Sequence, residues 1–322
     1  MKRIIALAVV VVLVVAAWSG AWFWGAGFIT SQAKSLETAD GTSTPKVSCG
    51  SFSVGGYPFG FDVTCSNATI VYGDTTVTAS GLKASAEVYN PTHVLVFAQS
   101  PIGITDAFTG SQSRVDFASL EGSARLTGWR IGRVSLIVDK PVWNDTVLDD
   151  RLIAKADHAE AHLIDLPELH DAKAGLAGLG QYVEIDNLNA PGVQVNAAKV
   201  TFEGDIDKLP DDIRTYGEAD LVKRWQAAGG TFTLKGFKGT DGDSHFEATG
   251  ALSLDAQGRV NGQVKLNSKG VVERLGTAIP EQYKGLIVGS PAADGSYSQT
   301  VNIAAGLMFV GLVPAGMLPP VF

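Results

Sequence analysis

The sequence predicts a mainly β protein: a large, strongly curved antiparallel sheet with two short helices, behind an N-terminal transmembrane helix, and groove-forming where its apolar face stays open. Three observations predict it. Apolar and polar residues alternate with period two through much of the chain. Turn residues interrupt that alternation at short intervals, as in an antiparallel meander. The N-terminus carries an uncharged apolar run long enough to cross a bilayer.

That run extends from Ile4 to Ile29, 26 residues without a charge. At about 1.5 Å per residue it spans a hydrocarbon core of about 30 Å with some tilt. Lys2 and Arg3 precede it and the next charge is Lys34, so the positive-inside bias places residue 1 in the cytoplasm and the body outside. Trp18, Trp22, Phe23, Trp24 and Phe28 crowd its far end, where amphipathic rings favour the headgroup level. The rival reading is a cleaved signal peptide, with Ser19-x-Ala21 and Gly25-x-Gly27 as small-x-small sites. Its apolar region would normally be shorter, and either reading exports the body. The expected organisation is an anchor over 1–30, a polar linker over 31–46 and a β-rich domain over 47–322.

Cys49 and Cys65 are the only cysteines, 16 apart around Gly55-Gly56-Tyr57-Pro58-Phe59-Gly60. Two isolated cysteines bracketing a turn in an oxidising compartment read as a disulfide. A redox or nucleophilic pair is disfavoured, because the spacing is not Cys-x-x-Cys and no nearby His or Lys would lower a thiol pKa.

The clearest strands lie late in the chain. Phe246, Ala248, Gly250, Leu252 and Leu254 share one parity; after the turn at Asp255-Ala256-Gln257-Gly258, so do Val260, Gly262, Val264 and Leu266. This is a hairpin with one apolar and one wet face. Shorter runs occur at 113–127, 132–138, 183–188, 192–203 and 231–237, with parity slips near 118–121 and 197–198 of the kind that β-bulges produce. Glycines inside strand patterns suggest a coiled or bent sheet.

Ile213, Tyr216, Leu221 and Trp225 form a helical stripe between Pro210 and Gly229-Gly230. A second short helix is expected from Val271, Val272, Leu275, Ala278 and Ile279, ended or bent by Pro280. Residues 166–180, rich in glycine, read as a loop. The last 22 residues, Val301 to Phe322, carry no charge. Their length suits a second membrane span, but Pro314, Pro319 and Pro320 argue instead for two strands, near 299–304 and 307–312, and an apolar tail.

Charge excludes some partners. The chain holds 25 basic and 33 acidic residues, a net of −8. Without Lys2 and Arg3 the body has 23 basic against 33 acidic, a net of −10, which repels phosphate backbones and disfavours nucleic acid. There is no Gly-x-Ser-x-Gly elbow and no phosphate loop. The weak metal candidates are His158, Glu160 and His162, which would share one strand face, with Asp165, His170 and Asp171 nearby. The His-Glu-x-x-His order is absent, so a solvated polar face is the preferred reading. No catalytic residues, no cofactor and no enzyme activity are expected.

Several stretches resemble an uncharacterised family of alphaproteobacterial envelope proteins, domain-of-unknown-function family 2125. They are the N-terminal anchor, Cys49, Gly56 to Phe61 and Cys65, then Ala228 to Leu234, Gly250 to Gly262, and the ending with Gly311, Pro314 and Pro319-Pro320. The Gly250-x-Leu252-x-Leu254-Asp255-x-x-Gly258-Arg259-x-x-Gly262 hairpin is also similar to repeats of AsmA-like envelope proteins. That resemblance implies groove-forming sheets and a part in phospholipid transport or outer-membrane homeostasis, with no catalytic residues to carry over. The expected place is the bacterial inner membrane, single-pass, N-terminus cytoplasmic and main domain periplasmic. The expected role is envelope maintenance, binding phospholipid or another apolar ligand in a groove lined by Phe246, Leu252, Leu254, Val264 and Leu266. The alternative is a non-catalytic scaffold or assembly factor for envelope proteins, recruiting them through sheet edges or the Tyr57-Pro58-Phe59 turn.

Overall fold

The computed structural model describes residues 2–147, 149–271, 291–311 and 313–322. The chain divides into two units, Met1–Ser123 with Val142–Arg151, and Ala124–Pro141 with Leu152–Phe322. Both are built mainly from antiparallel strands, as the alternation predicts.

The first unit opens with helix α1 (Lys2–Glu37), the one helix among the described residues long and apolar enough to cross a membrane. None of its most apolar window is buried, and Trp22 is its only buried residue. The helix continues to Glu37, so half of the polar stretch read as linker is helical. The turn that follows it is closed by Asp40, which accepts hydrogen bonds from the backbone N–H groups of Thr42, Ser43 and Thr44. These bonds, with the one from the Ser43 hydroxyl, hold the Asp40 carboxyl well below the usual carboxylate range.

Strands β1 (Lys46–Ser48) and β2 (Ser51–Gly55) pair in succession along β3 (Gly60–Tyr72), which pairs with β4 (Thr75–Glu87) and through it with β5 (Asn90–Asp106). The order continues through β6 (Gln112–Asp116) to β9 (Val142–Asp145). β7 (Ser119–Thr127) starts in this unit and ends in the other. The slip near 118–121 is therefore a break between β6 and β7 and not a bulge. Cys49 and Cys65 form a disulfide, with Cα atoms 5.3 Å apart. It packs beside Ala68, Ala79, Leu82 and Ile102 and fastens the base of the β2–β3 loop.

In the second unit β8 (Arg130–Asp139), β11 (His158–Asp171), β12 (Leu176–Ala190), β13 (Val195–Pro210), β14 (Thr231–Asp241), β15 (Ser244–Leu254) and β16 (Val260–Lys269) pair in that order. β17 (Tyr297–Ala304), β18 (Leu307–Val310) and β19 (Val313–Met317) follow. β10 (Arg151–Lys155) adds a bridge from Lys155 to Asn189 of β12.

The predicted hairpin is β15–β16, with Ala248 opposite Leu266 and Gly250 opposite Val264. Asp255 fixes its turn by accepting from the backbone of Gln257 and Arg259 and from the Arg259 guanidinium. The C-terminal stretch consists of strands, one more than expected, and Val321 donates to the Gly258 carbonyl at 2.9 Å. The slip near 197–198 is an irregularity in the β12–β13 register.

Two sequence expectations are corrected. Residues 166–180 are not a loop: they complete the β11–β12 hairpin around a short turn at 172–175. A Cβ on Gly178 would meet that of Leu169 at 2.6 Å, so the missing side chain makes room for a leucine from the facing strand. The stripe from Ile213 to Trp225 is not one helix but a 3-10 turn (Ile213–Thr215) followed by α2 (Leu221–Ala227). The other short helix rests on Val272, Leu275, Ala278, Ile279 and Pro280, which lie outside the described residues.

The disulfide's contribution is measurable. Replacing both Cys49 and Cys65 by alanine is expected to lower stability by about 3 kcal/mol on the chain-entropy model for a loop of this size. Chemical denaturation of the two proteins under oxidising conditions checks it.

Candidate functional site

Because directly opposed residues of an antiparallel pair point to the same side, the register of the second unit defines its faces. One apolar row runs Leu136, Ala161, Val183, Phe202, Phe237, Ala248 and Leu266 across β8 to β16. A second runs Val138, Ala159, Ile185, Val200, Gly239 and Phe246. A third joins Ile206, Phe232, Leu252 and, through Gly262, Ile303. Simple parity would set Phe232 and Leu234 against Phe237. A bulge at Lys235–Gly236, where the register steps from Leu234 to Phe237, restores them to one face.

Four phenylalanines form a ladder on this face. Ring centroids lie 4.9 Å apart for Phe246 and Phe237, 6.3 Å for Phe237 and Phe202, and 6.2 Å for Phe202 and Phe232. The Phe246 ring lies over Gly239, where any Cβ would collide with it. Each end of the ladder opens into an apolar cleft. Phe246 lines one of about 230 Å³ with Leu188, Val193, Val195, Ala198 and Val200. Phe232, Leu252 and Leu254 line another of about 360 Å³ with Ile206, Trp225 and Val260.

Of the groove residues expected from the sequence, Phe246, Leu252 and Leu254 thus line clefts. Val264 and Leu266 share the face but line neither. Of the ladder, sequence reasoning found Phe246 and missed Phe237, Phe202 and Phe232. Phe202 and Phe237 sit in recognisable alternating runs, but the bulge that aligns them leaves no local signal.

Among the described residues a packed core lies at one end of this face. Trp225 of α2 packs with Ile131, Leu179 and Leu209, and its indole N–H donates to the Asp207 carbonyl at 2.7 Å. Elsewhere on the face large apolar side chains are half-buried, and Phe237 keeps 39% of its surface exposed.

The opposite face is ionic. Lys199 bridges Glu184 and Asp186 at 2.6 and 3.0 Å, Lys235 reaches Asp205, and Lys238 reaches Glu247. Tyr182 donates to Glu184, which pushes the phenol up to about 12. His158, Glu160 and His162 lie together on this face, as the strand period predicts. Glu160 Oε2 stands 3.3 Å from His162 Nε2 and 3.8 Å from His158 Nε2. The Nδ1 atoms are engaged by Asp139 (2.7 Å) and Ser135 (2.8 Å) respectively. Among the described residues no group of three or more His, Cys, Asp or Glu is arranged to hold a metal ion.

Asp165 and His170 belong to a different network. Arg130 pairs with Asp165 at 3.0 Å and donates to His170 Nδ1, leaving His170 Nε2–H to donate to Asp211 at 3.2 Å. Asp171 caps the hairpin turn through the N–H groups of Lys173 and Ala174.

In the first unit the Tyr57-Pro58-Phe59 turn meets α1. Trp18 Nε1 donates to the Pro58 carbonyl at 2.9 Å, Trp22 Nε1 to the Gly60 carbonyl at 2.8 Å, and Ser19 Oγ lies 2.8 Å from the Tyr57 hydroxyl. Trp22 stacks on Phe61, whose ring would meet a Cβ on Gly25 at 2.8 Å.

The features together define a disulfide-bonded, mainly β protein with an N-terminal apolar helix and an apolar row along one sheet face. The family model "Uncharacterized protein conserved in bacteria (DUF2125)" matches residues 22–319, and the chain belongs to that family. No curated protein matches the sequence.

Two consequences are testable. The hydrogen bond to Asp139 raises the His158 pKa above its ordinary value, aided by the charges of Asp139, Glu160 and Asp186 and opposed by desolvation. A raised histidine pKa stabilises fully below the unfolded value of about 6.5 and loses that contribution as pH rises through the folded value. NMR titration of the His158 ring should give a midpoint above 6.5 that falls in Asp139→Asn. The Arg130–Asp165 pair is mostly buried, at 19% and 12% side-chain exposure. Arg130→Leu is expected to cost about 3 kcal/mol by stranding the carboxylate, and Arg130→Leu with Asp165→Leu less than that; a double-mutant cycle in denaturant measures both.

Proposed function

We propose that this is a single-pass protein of the bacterial inner membrane, held by an uncleaved α1, whose periplasmic body binds the acyl chain of a lipid or a similar apolar ligand in envelope maintenance. The carrying observation is the phenylalanine ladder, which joins two apolar clefts across a face that the described residues fill only at one end. From Phe246 to Leu254 the face runs about 26 Å along β15 at about 3.3 Å per residue, longer than the roughly 15 Å depth of one leaflet's hydrocarbon. Each methylene laid on such a surface gains about 0.8 kcal/mol over water. The net charge of −10 on the body offers nothing to a free phosphate, but it does not oppose hydrocarbon.

The anchor reading is supported by the contacts of Trp18, Ser19 and Trp22 with the 57–60 turn, because cleavage after Ala21 would remove the first two and cleavage after Gly27 all three. The disulfide fits an oxidising compartment, and the resemblance of the 250–262 hairpin to AsmA-like repeats points the same way. Binding, not catalysis, is the proposed activity.

Native mass spectrometry of protein released from membranes in polymer discs, without detergent, tests both parts. The intact chain, with its first 30 residues, is expected to carry a lipid-sized adduct. Phe237→Ala is expected to weaken binding about tenfold, from the loss of part of a phenylalanine's burial of about 1.5–3 kcal/mol. A bare chain would overturn the lipid reading, and a co-isolated protein in its place would favour the scaffold role.

A further inference from the structure

The apolar run of α1 begins at Ile4, directly after Lys2 and Arg3. At about 1.5 Å per residue a core of about 30 Å entered there ends near Trp24. The residues that hold the Tyr57-Pro58-Phe59 turn are Trp18, Ser19 and Trp22, so the turn lies beside the last turns of the span. That is the depth of the headgroup and acyl boundary, within the roughly 5–10 Å to which interfacial elements sink. We propose that this turn is a second membrane-contacting element, seated in the phospholipid interface into which α1 emerges. The proposal rests on α1 being a retained anchor.

The chemistry of the turn fits that place. Residues 56–60 carry no charge, and Pro58 has no N–H to satisfy. Backbone carbonyls are costly to leave unpaired in lipid, and here three have partners: Pro58 and Gly60 accept from indoles of α1, and Phe59 accepts from Val88 N–H at 2.9 Å. The side chains are turned outward. Phe59 is 66% exposed although its carbonyl is engaged, and Tyr57 and the Phe23 ring against it are also exposed. Tyr57 stacks on Phe23 with centroids 6.0 Å apart, so turn and helix form one aromatic collar. Aromatic side chains of this kind are stabilised at the water–bilayer boundary. The site lies wholly in the first unit and does not involve the phenylalanine ladder.

Site-directed spin labelling of the full chain in vesicles of phosphatidylethanolamine and phosphatidylglycerol tests it. The only native cysteines are paired with each other, so a single introduced thiol takes the label. Three variants suffice: Phe59→Cys in the turn, Val11→Cys within the span, and Tyr72→Cys at the exposed far end of β3. Collision with oxygen, which concentrates in lipid, is compared with collision with a water-soluble nickel chelate. The expected result is a deep label at 11, a fully aqueous label at 72, and a label at 59 about tenfold less accessible to nickel than that at 72. A deep label at 11 with equal nickel access at 59 and 72 overturns the inference and leaves the anchor standing. An aqueous label at 11 overturns both.

Discussion

A pleated strand can place a side chain on only one of two faces, and an antiparallel ladder forces its neighbours to agree. In the second unit this constraint sorts the sequence into an ionic surface, crossed by the pairs of Lys199, Lys235 and Lys238, and an apolar one carrying four phenylalanines. The ionic face supplies its own partners: Lys199, Lys235 and Lys238 pair with Glu184, Asp186, Asp205 and Glu247. The apolar face is supplied with a core at one end, where Trp225 closes over Leu179 and Leu209. Among the described residues the remainder is only partly covered. The proposed ligand follows from that imbalance and not from any reactive group.

The same constraint explains what the sequence disclosed and what it hid. The β15–β16 hairpin was legible because its alternation is unbroken from Phe246 to Leu266, and a fixed register needs no other information. The disulfide was legible because two cysteines allow one pairing. Of the ladder only Phe246 was among the expected groove residues. Phe232 lies in an alternating run, but Phe237 reaches its face only through the one extra residue of a bulge. The β11–β12 hairpin was hidden for a related reason. Gly175, Gly178 and Gly180 look like loop composition, yet in the fold Leu169 and Leu166 from the facing strand occupy the space over Gly178 and Gly180. The helical stripe was overextended because its spacing from Ile213 to Trp225 ignores the break at Gly217 and Asp220 between the two short elements. In each case the missing information is a contact from another strand or a local break, which no period carries.

Sharing one face was correctly anticipated for His158, Glu160 and His162, and it shows why residue type and spacing are insufficient for metal chemistry. A ligand set needs lone pairs that converge on a vacancy. Here the carboxylate of Glu160 faces both Nε2 atoms, and the Nδ1 atoms are engaged by Asp139 and Ser135. The cluster is self-satisfied. Such a network ties β8 to β11 along the wet side and keeps histidine charge tied to pH, a structural use of the same residues.

An apolar face that takes its ligand from a bilayer differs in one respect from a pocket that takes it from water. At about 0.8 kcal/mol per methylene, an acyl chain of about ten buried methylenes gains roughly 8 kcal/mol over water, comparable with micromolar affinity. The same chain in a membrane is already out of water, so moving it onto the sheet exchanges one apolar surface for another and nearly cancels that gain. Occupancy is then set by the small difference between ladder and bilayer, and loading and release are both accessible without a chemical energy source. Among the described residues no Lys or Arg lines either cleft, which works in the same direction, since a tightly held headgroup would convert exchange into sequestration. Among the described residues the ladder phenylalanines are only partly covered, and in the proposed role such a face suits handing a chain onward more than storing it.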